Sequence, residues 1–127
     1  MNLELLREYL EEAKHAQEQG HFNSSVVLHH RAFDLLLDEY LLQQTGQVYS
    51  SHYDKFQALK QQSLVMTETS SFLYYIYRDS YQNMINPISA EAVQSLVYEL
   101  VKAGKFEEAI PKKPIMDGDP KTLEVII

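Results

Sequence analysis

The first 46 residues hold two amphipathic runs, each closed by a glycine, and that punctuation commits the chain to a helical hairpin. Leu3, Leu6, Leu10, Ala13 and Ala16 recur at three- and four-residue spacing, with Glu4, Glu8, Glu11, Glu12 and Lys14 mostly between them. Side chains so spaced share one face of an α-helix. Gly20 supplies a stop. HFNSS then offers Asn23, Ser24 or Ser25 as the N-cap of a second helix, VVLHHRAFDLLLDEYLLQQ, which Gly46 closes.

Wound at about 100° per residue, the second helix separates two faces. Val26, Ala32, Phe33, Leu36, Leu37 and Tyr40 share a broad apolar arc that includes His29. His30, Arg31, Asp34 and Asp38 share a narrower polar arc. Apolar coverage this wide predicts a central helix. Residues 47–53 (QVYSSHY) read as a loop, and DKFQALKQQSLVM as a shorter third helix with Phe56, Leu59 and Leu64 inward. TETSS holds caps for a fourth helix from about Ser71 to Ile85, ended by Asn86–Pro87 because the residue before proline avoids helical backbone. Ser89 is the expected cap of a fifth, whose stripe is Ala92, Val93, Leu96, Val97 and Leu100, and Gly104 its stop. KFEEAI adds a further turn.

The expected architecture is therefore all-α: a bundle of four to five helices over residues 1–110, followed by an irregular tail at 111–127. The tail carries three prolines, one glycine and no helical period. Its end, LEVII, favours extended backbone, so a short strand at 122–127 is expected there.

Charge and composition narrow the function. The net charge is −7, and residues 1–101 account for it with six Lys/Arg against thirteen Asp/Glu. Phosphate contacts supply most of the affinity in nucleic-acid binding, so an acidic chain without a basic face is poorly suited to bind nucleic acid alone. The absence of cysteine rules out disulfides, thiolate metal sites and cysteine nucleophiles, and it fits a cytoplasmic setting. No apolar run is long enough to cross a bilayer, and the acidic, amphipathic opening reads as mature structure, so no membrane association is expected.

Residues 72–83, FLYYIYRDSYQN, concentrate the chemistry. Phe72, Leu73, Ile76, Tyr77 and Met84 gather on one side of the helical wheel with Ser80. Tyr74, Arg78 and Tyr81 gather on the other, flanked by Tyr75 and Gln82. Tyr77 is thus assigned to the core, while Tyr74 and Tyr81 bracket Arg78. A guanidinium pairs with phosphate through two donors or stacks on a ring, and tyrosine offers both a π-face and a hydroxyl. The same residues dominate protein interfaces. Tyr74, Arg78, Tyr81 and Gln82 are the candidate ligand or interface residues.

Other constellations are weaker. His30, Asp34 and Asp38 lie one turn apart but read as a solvated stripe, since no zinc-type spacing accompanies them; no metal and no cofactor are expected. His29 reads as a hydrogen-bonded core histidine. His52 either caps the third helix or reaches the Arg78 face. The chain has neither a glycine-rich phosphate loop nor a nucleophile elbow.

The order of these pieces resembles the HEPN superfamily, in particular its short single-domain branch associated with nucleotidyltransferases. The resemblance spans roughly residues 3–109 and rests on Arg31-Ala32-Phe33, Ser51-His52, Arg78 with Tyr81, and a following helix that opens AEAV. It implies a helical bundle that forms a homodimer and acts beside a nucleotidyltransferase partner in a toxin–antitoxin type of system. It also implies a metal-independent RNase motif: Arg, a polar residue, four to six further positions, then His. Arg78 and Asp79 match the opening of that motif, but Met84, Ile85 and Asn86 stand where the histidine belongs, and no histidine follows His52.

The expectation is a non-catalytic protein that binds a nucleotide or a nucleotidyltransferase. The alternatives are a divergent RNase using Arg78, Asp79 and His52 on RNA, and a helical-hairpin adaptor. AKHAQEQGHF and VKAGKFEEAI both resemble the tetratricopeptide turn. They stand about eighty residues apart, however, against a repeat period of roughly 34. In the adaptor reading, LEVII adds a strand to a partner's sheet.

Overall fold

The computed structural model describes residues 1–112 and is all-helical over them. Five α-helices follow in order: α1 (Leu3–Glu18), α2 (Phe22–Thr45), α3 (His52–Gln62), α4 (Leu64–Asp79) and α5 (Pro87–Ala103). A 3₁₀ turn, Glu107–Ala109, comes last, where KFEEAI is expected to add one. The expected strand at 122–127 lies outside the described residues.

The α1–α2 hairpin forms as its punctuation predicts. Gly20 takes the left-handed backbone (φ 76°), which lets the His21 N–H reach back to the Ala16 carbonyl at 2.8 Å. A residue with a Cβ is disfavoured in that conformation. The reversal is so tight that α2 starts at Phe22, directly behind His21. Asn23, Ser24 and Ser25 therefore lie inside the first turn and none of them caps it.

The Asn23 amide instead spans the molecule. Its NH₂ donates to the Ser80 and Asn83 carbonyls, both at 2.7 Å, and its oxygen accepts from the Ile85 N–H at 2.9 Å. One side chain thus satisfies three backbone groups of the α4–α5 connection.

Helix α2 is the hub, as its wide apolar arc predicts. It packs against α1, α5, α4 and α3, and buries Val26, Ala32, Phe33, Leu36, Leu37 and Leu41. Leu6 and Leu10 of α1, Leu59 of α3, Leu73 of α4 and Val93, Val97 and Val101 of α5 complete one continuous core. Burying each large side chain contributes about 1.5–3 kcal/mol. The 3₁₀ turn closes onto α1 and α5 through Ala109.

Several boundaries differ from the sequence reading, and each has a local cause. A single residue, Ser63, separates α3 from α4: its backbone is extended (φ −161°) and its hydroxyl accepts from the Met66 N–H at 3.1 Å. Hence α3 stops at Gln62 rather than running to Met66. TETSS lies within α4, where Thr67 and Ser70 are buried, and Leu64 is 73% exposed rather than inward. Helix α4 also ends earlier, at Asp79, so Tyr81 and Gln82 belong to the turn that follows it.

Asn86–Pro87 consequently opens α5 instead of closing α4. The Asn86 side chain accepts from the Ser89 N–H at 2.8 Å, and Pro87 fills the first helical position, where its missing N–H costs nothing. Ser89 is not the cap, and Ala92 faces outward. The core side of the tyrosine segment is also revised: Met84 is 90% exposed, Phe72 is exposed, and Ile85 is the residue that goes in. At the end of α5 it is Lys105, not Gly104, that takes the left-handed backbone (φ 66°). Gly104 is small for a different reason. A Cβ there would lie 3.0 Å from the Phe106 ring folded back over it.

Candidate functional site

Helices α3 and α4 meet along an outer groove of about 610 Å³. From α4 come Ser70, Ser71, Tyr74, Tyr75, Arg78 and Asp79, residues that helical spacing places on neighbouring strips of one face. From the start of α3 come His52, Tyr53 and Phe56, held in place because Ser51 caps that helix, accepting from the Asp54 N–H at 3.0 Å. Gln82 reaches the groove from the turn beyond α4.

The two helices are joined here by a stacked pair. The His52 imidazole lies 4.2 Å from the Tyr74 ring, centroid to centroid, and tilted by 22°. The Arg78 guanidinium carbon is 6.0 Å from the centre of the same ring. Tyr74 thus orients both the imidazole and the guanidinium. His52 reaches the Arg78 face, and Ser51 does the capping.

Arg78 is exposed, and among the described residues no carboxylate lies within ion-pair distance of it. Its neighbour Asp79 accepts a hydrogen bond from the Asn83 side chain at 2.7 Å. Lys55 is held by Asp38 at 2.8 Å, and Lys60 sits over the Phe56 ring at 4.9 Å. Arg78 is the one Lys or Arg in the lining of this groove.

Of the four residues singled out from the sequence, Tyr74, Arg78 and Gln82 line the groove together, and Tyr81 does not. Tyr81 lies in the turn beyond α4 and packs against Tyr77. Their rings meet edge to face at 5.2 Å and their hydroxyls share a 2.6 Å hydrogen bond, which raises the Tyr77 pKa. Tyr77 is half-buried rather than a core residue, and it stacks on His30 at 4.2 Å.

The solvated stripe at His30 is likewise corrected. His30 is 5% exposed, sealed beneath Tyr77. Burial, and then the positive charges of His52 and Arg31, lower its pKa to about 4, so it is neutral near pH 7. Its Nδ1 lies 3.6 Å from the Asp34 carboxylate. That is a loose polar contact between a neutral ring and a partly exposed acid, whose own pKa burial raises. Among the described residues no group of three or more His, Asp or Glu is placed to hold a metal ion.

His29 is a core histidine, as expected. Its Nδ1 donates to the Ser25 carbonyl at 3.0 Å, and burial lowers its pKa to about 4. The Ser25 hydroxyl lies 2.7 Å from the Gln17 amide oxygen, tying α1 to α2 beside it.

Tyr53, Phe56 and Tyr75, which lie outside the four residues that the sequence points to, form much of the groove wall. The signal was present in SHYDKF, where positions 52, 53 and 56 share a face once the helix begins at His52 instead of two residues later. No family model matches the chain, and no curated protein or solved structure matches it.

Proposed function

We propose that this chain is a non-catalytic, HEPN-like helical protein whose α3–α4 groove binds a nucleotide, either free or presented by a nucleotidyltransferase partner in a toxin–antitoxin type of system. The observation that carries this reading is Arg78: an exposed guanidinium without a carboxylate partner among the described residues, set in a groove walled by aromatic rings. Planar bases stack on phenol rings, and a guanidinium offers phosphate a two-donor fork. A groove of about 610 Å³ falls within the usual range for small-molecule sites. The acidic balance of the protein favours a small nucleotide over a nucleic-acid strand.

Isothermal titration with AMP and ADP tests the reading. Binding is expected, and Arg78→Ala weakens it by about tenfold, the scale of one charge-assisted hydrogen bond. Full affinity in the variant rejects the assignment. The homodimer that the HEPN resemblance implies belongs to the same proposal. Light scattering tests it, with a mass near twice 14.8 kDa expected.

A second reading is favoured by one specific observation: His52 and Arg78 line the same groove. In a divergent RNase, Arg78 would stabilise the scissile phosphate and His52 would move the proton, taking the place of the histidine missing after Asp79. Cleavage of single-stranded RNA that both His52→Ala and Arg78→Ala abolish would establish this reading over the first. Cleavage indifferent to both would remove it.

A further inference from the structure

The charge and ring inventory of the groove specifies its ligand more closely than the general class, and this step rests on the nucleotide reading above. We infer that the groove takes a nucleoside monophosphate, with the base on the open faces of Tyr53 and Tyr75 and a single phosphate on Arg78.

Two observations lead there. The first concerns the rings. Tyr74 is occupied by the His52 stack at 4.2 Å, so it serves as a wall. Tyr53 and Tyr75 are 70% and 69% exposed, line the groove, and stack on no other ring among the described residues. Two large phenols left open to water beside a guanidinium are surface that a planar base can cover, and stacking on such a ring is sequence-tolerant.

The second concerns charge. Arg78 is the one Lys or Arg in the groove's lining and Asp79 its one carboxylate, so these two opposite charges offset each other. Lys55 is already taken by Asp38, and Lys60 is not part of the lining. A triphosphate carries roughly three more negative charges than Arg78 offsets, and they would face Asp79 on a chain of net charge −7. No acidic cluster among the described residues is placed to hold a divalent cation that would offset them. One phosphate matches one fork; Ser71 and Gln82 provide neutral polar groups along the rest of the lining.

The test is a titration series on the full chain with adenosine, AMP, ATP and a ten-nucleotide single-stranded RNA, without added metal. AMP is expected to bind about tenfold more tightly than adenosine, and ATP no more tightly than AMP. Arg78→Ala should erase the difference between AMP and adenosine. Arg78→Lys, which keeps the charge but loses the fork, should erase only part of it. Tyr75→Ala should weaken AMP and adenosine alike by roughly tenfold, the scale of one lost stack. Tighter binding of ATP overturns the monophosphate assignment and leaves the nucleotide reading standing, whereas tighter binding of the RNA overturns the monophosphate assignment and favours the RNA reading instead. Failure of every ligand to bind overturns both. Because Arg78, Tyr53 and Tyr75 are all exposed, the circular dichroism of these variants should match the parent, which separates lost binding from lost fold.

Discussion

At the scale of single residues, position on a helical wheel predicts a side chain's surroundings only when its neighbours are known. His30 falls on the polar arc of α2, and on an isolated helix it would be solvated. Tyr77 of α4 covers it, and its pKa falls to about 4. His29, on the apolar arc, has a pKa lowered to about 4 by burial alone.

Both histidines are therefore neutral when folded and take up protons near pH 6.5 when unfolded. The unfolded chain binds more protons between those values, so stability present above pH 6.5 is lost as pH falls towards 4. The loss is on the order of 3 kcal/mol for each histidine by pH 4. Urea denaturation of the parent and of His30→Phe at pH 7 and pH 4.5 checks this, because the carboxylate contribution is shared. The variant should lose distinctly less stability on acidification, and parallel losses would show that His30 is not held neutral. Arg78→Ala, by contrast, should change stability by less than about 0.5 kcal/mol, as expected for an exposed residue outside the core. A thermal melt decides this, and unfolding would mark Arg78 as structural.

At the scale of elements, glycine was the most legible signal and serine the least. Gly20 and Gly46 both adopt the left-handed backbone that a helix end invites, and the first two helices end where the sequence places their stops. Serine is ambiguous because it caps some helices and lies inside others. Ser51 and Ser63 cap α3 and α4, whereas Ser25 and Ser70 are buried within helices, and nothing local to the sequence separates the two uses. The start of α4 at Leu64 is hidden for this reason, and with it the outward positions of Leu64 and Phe72.

Two substitutions test these placements. Ser63→Ala should cost about 1 kcal/mol through the lost cap of α4. Asn23→Ala should cost more, about 2–3 kcal/mol, because three backbone groups of the α4–α5 connection lose their partner together. Chemical denaturation ranks them. A loss at Asn23 no larger than at Ser63 would show that water replaces the clip.

At the scale of the whole molecule, the hub position of α2 was legible because its apolar arc is too wide for a surface helix, and the all-helical class followed from periodicity alone. The candidate site was half legible. Tyr74, Arg78 and Gln82 come from one segment: helical spacing brings Tyr74 and Arg78 together, and the turn after α4 adds Gln82. The other wall, His52, Tyr53 and Phe56, comes from a different helix, and only the packing of α3 against α4 shows that it faces the first. Tyr81 is not in the groove lining, because its ring and hydroxyl are engaged by Tyr77 in the turn beyond α4. Among the described residues no helix is long and apolar enough to cross a membrane.

The central claim is that the α3–α4 groove, with Arg78 in its lining, is the binding face. The most direct test is an amide ¹H–¹⁵N correlation spectrum of the full chain titrated with AMP. The predicted result is a set of saturable shifts concentrated at residues 52–56 and 70–82, with α1 unmoved, and their loss in Arg78→Ala. Shifts confined to α1 or α5, or none at millimolar AMP, would contradict it.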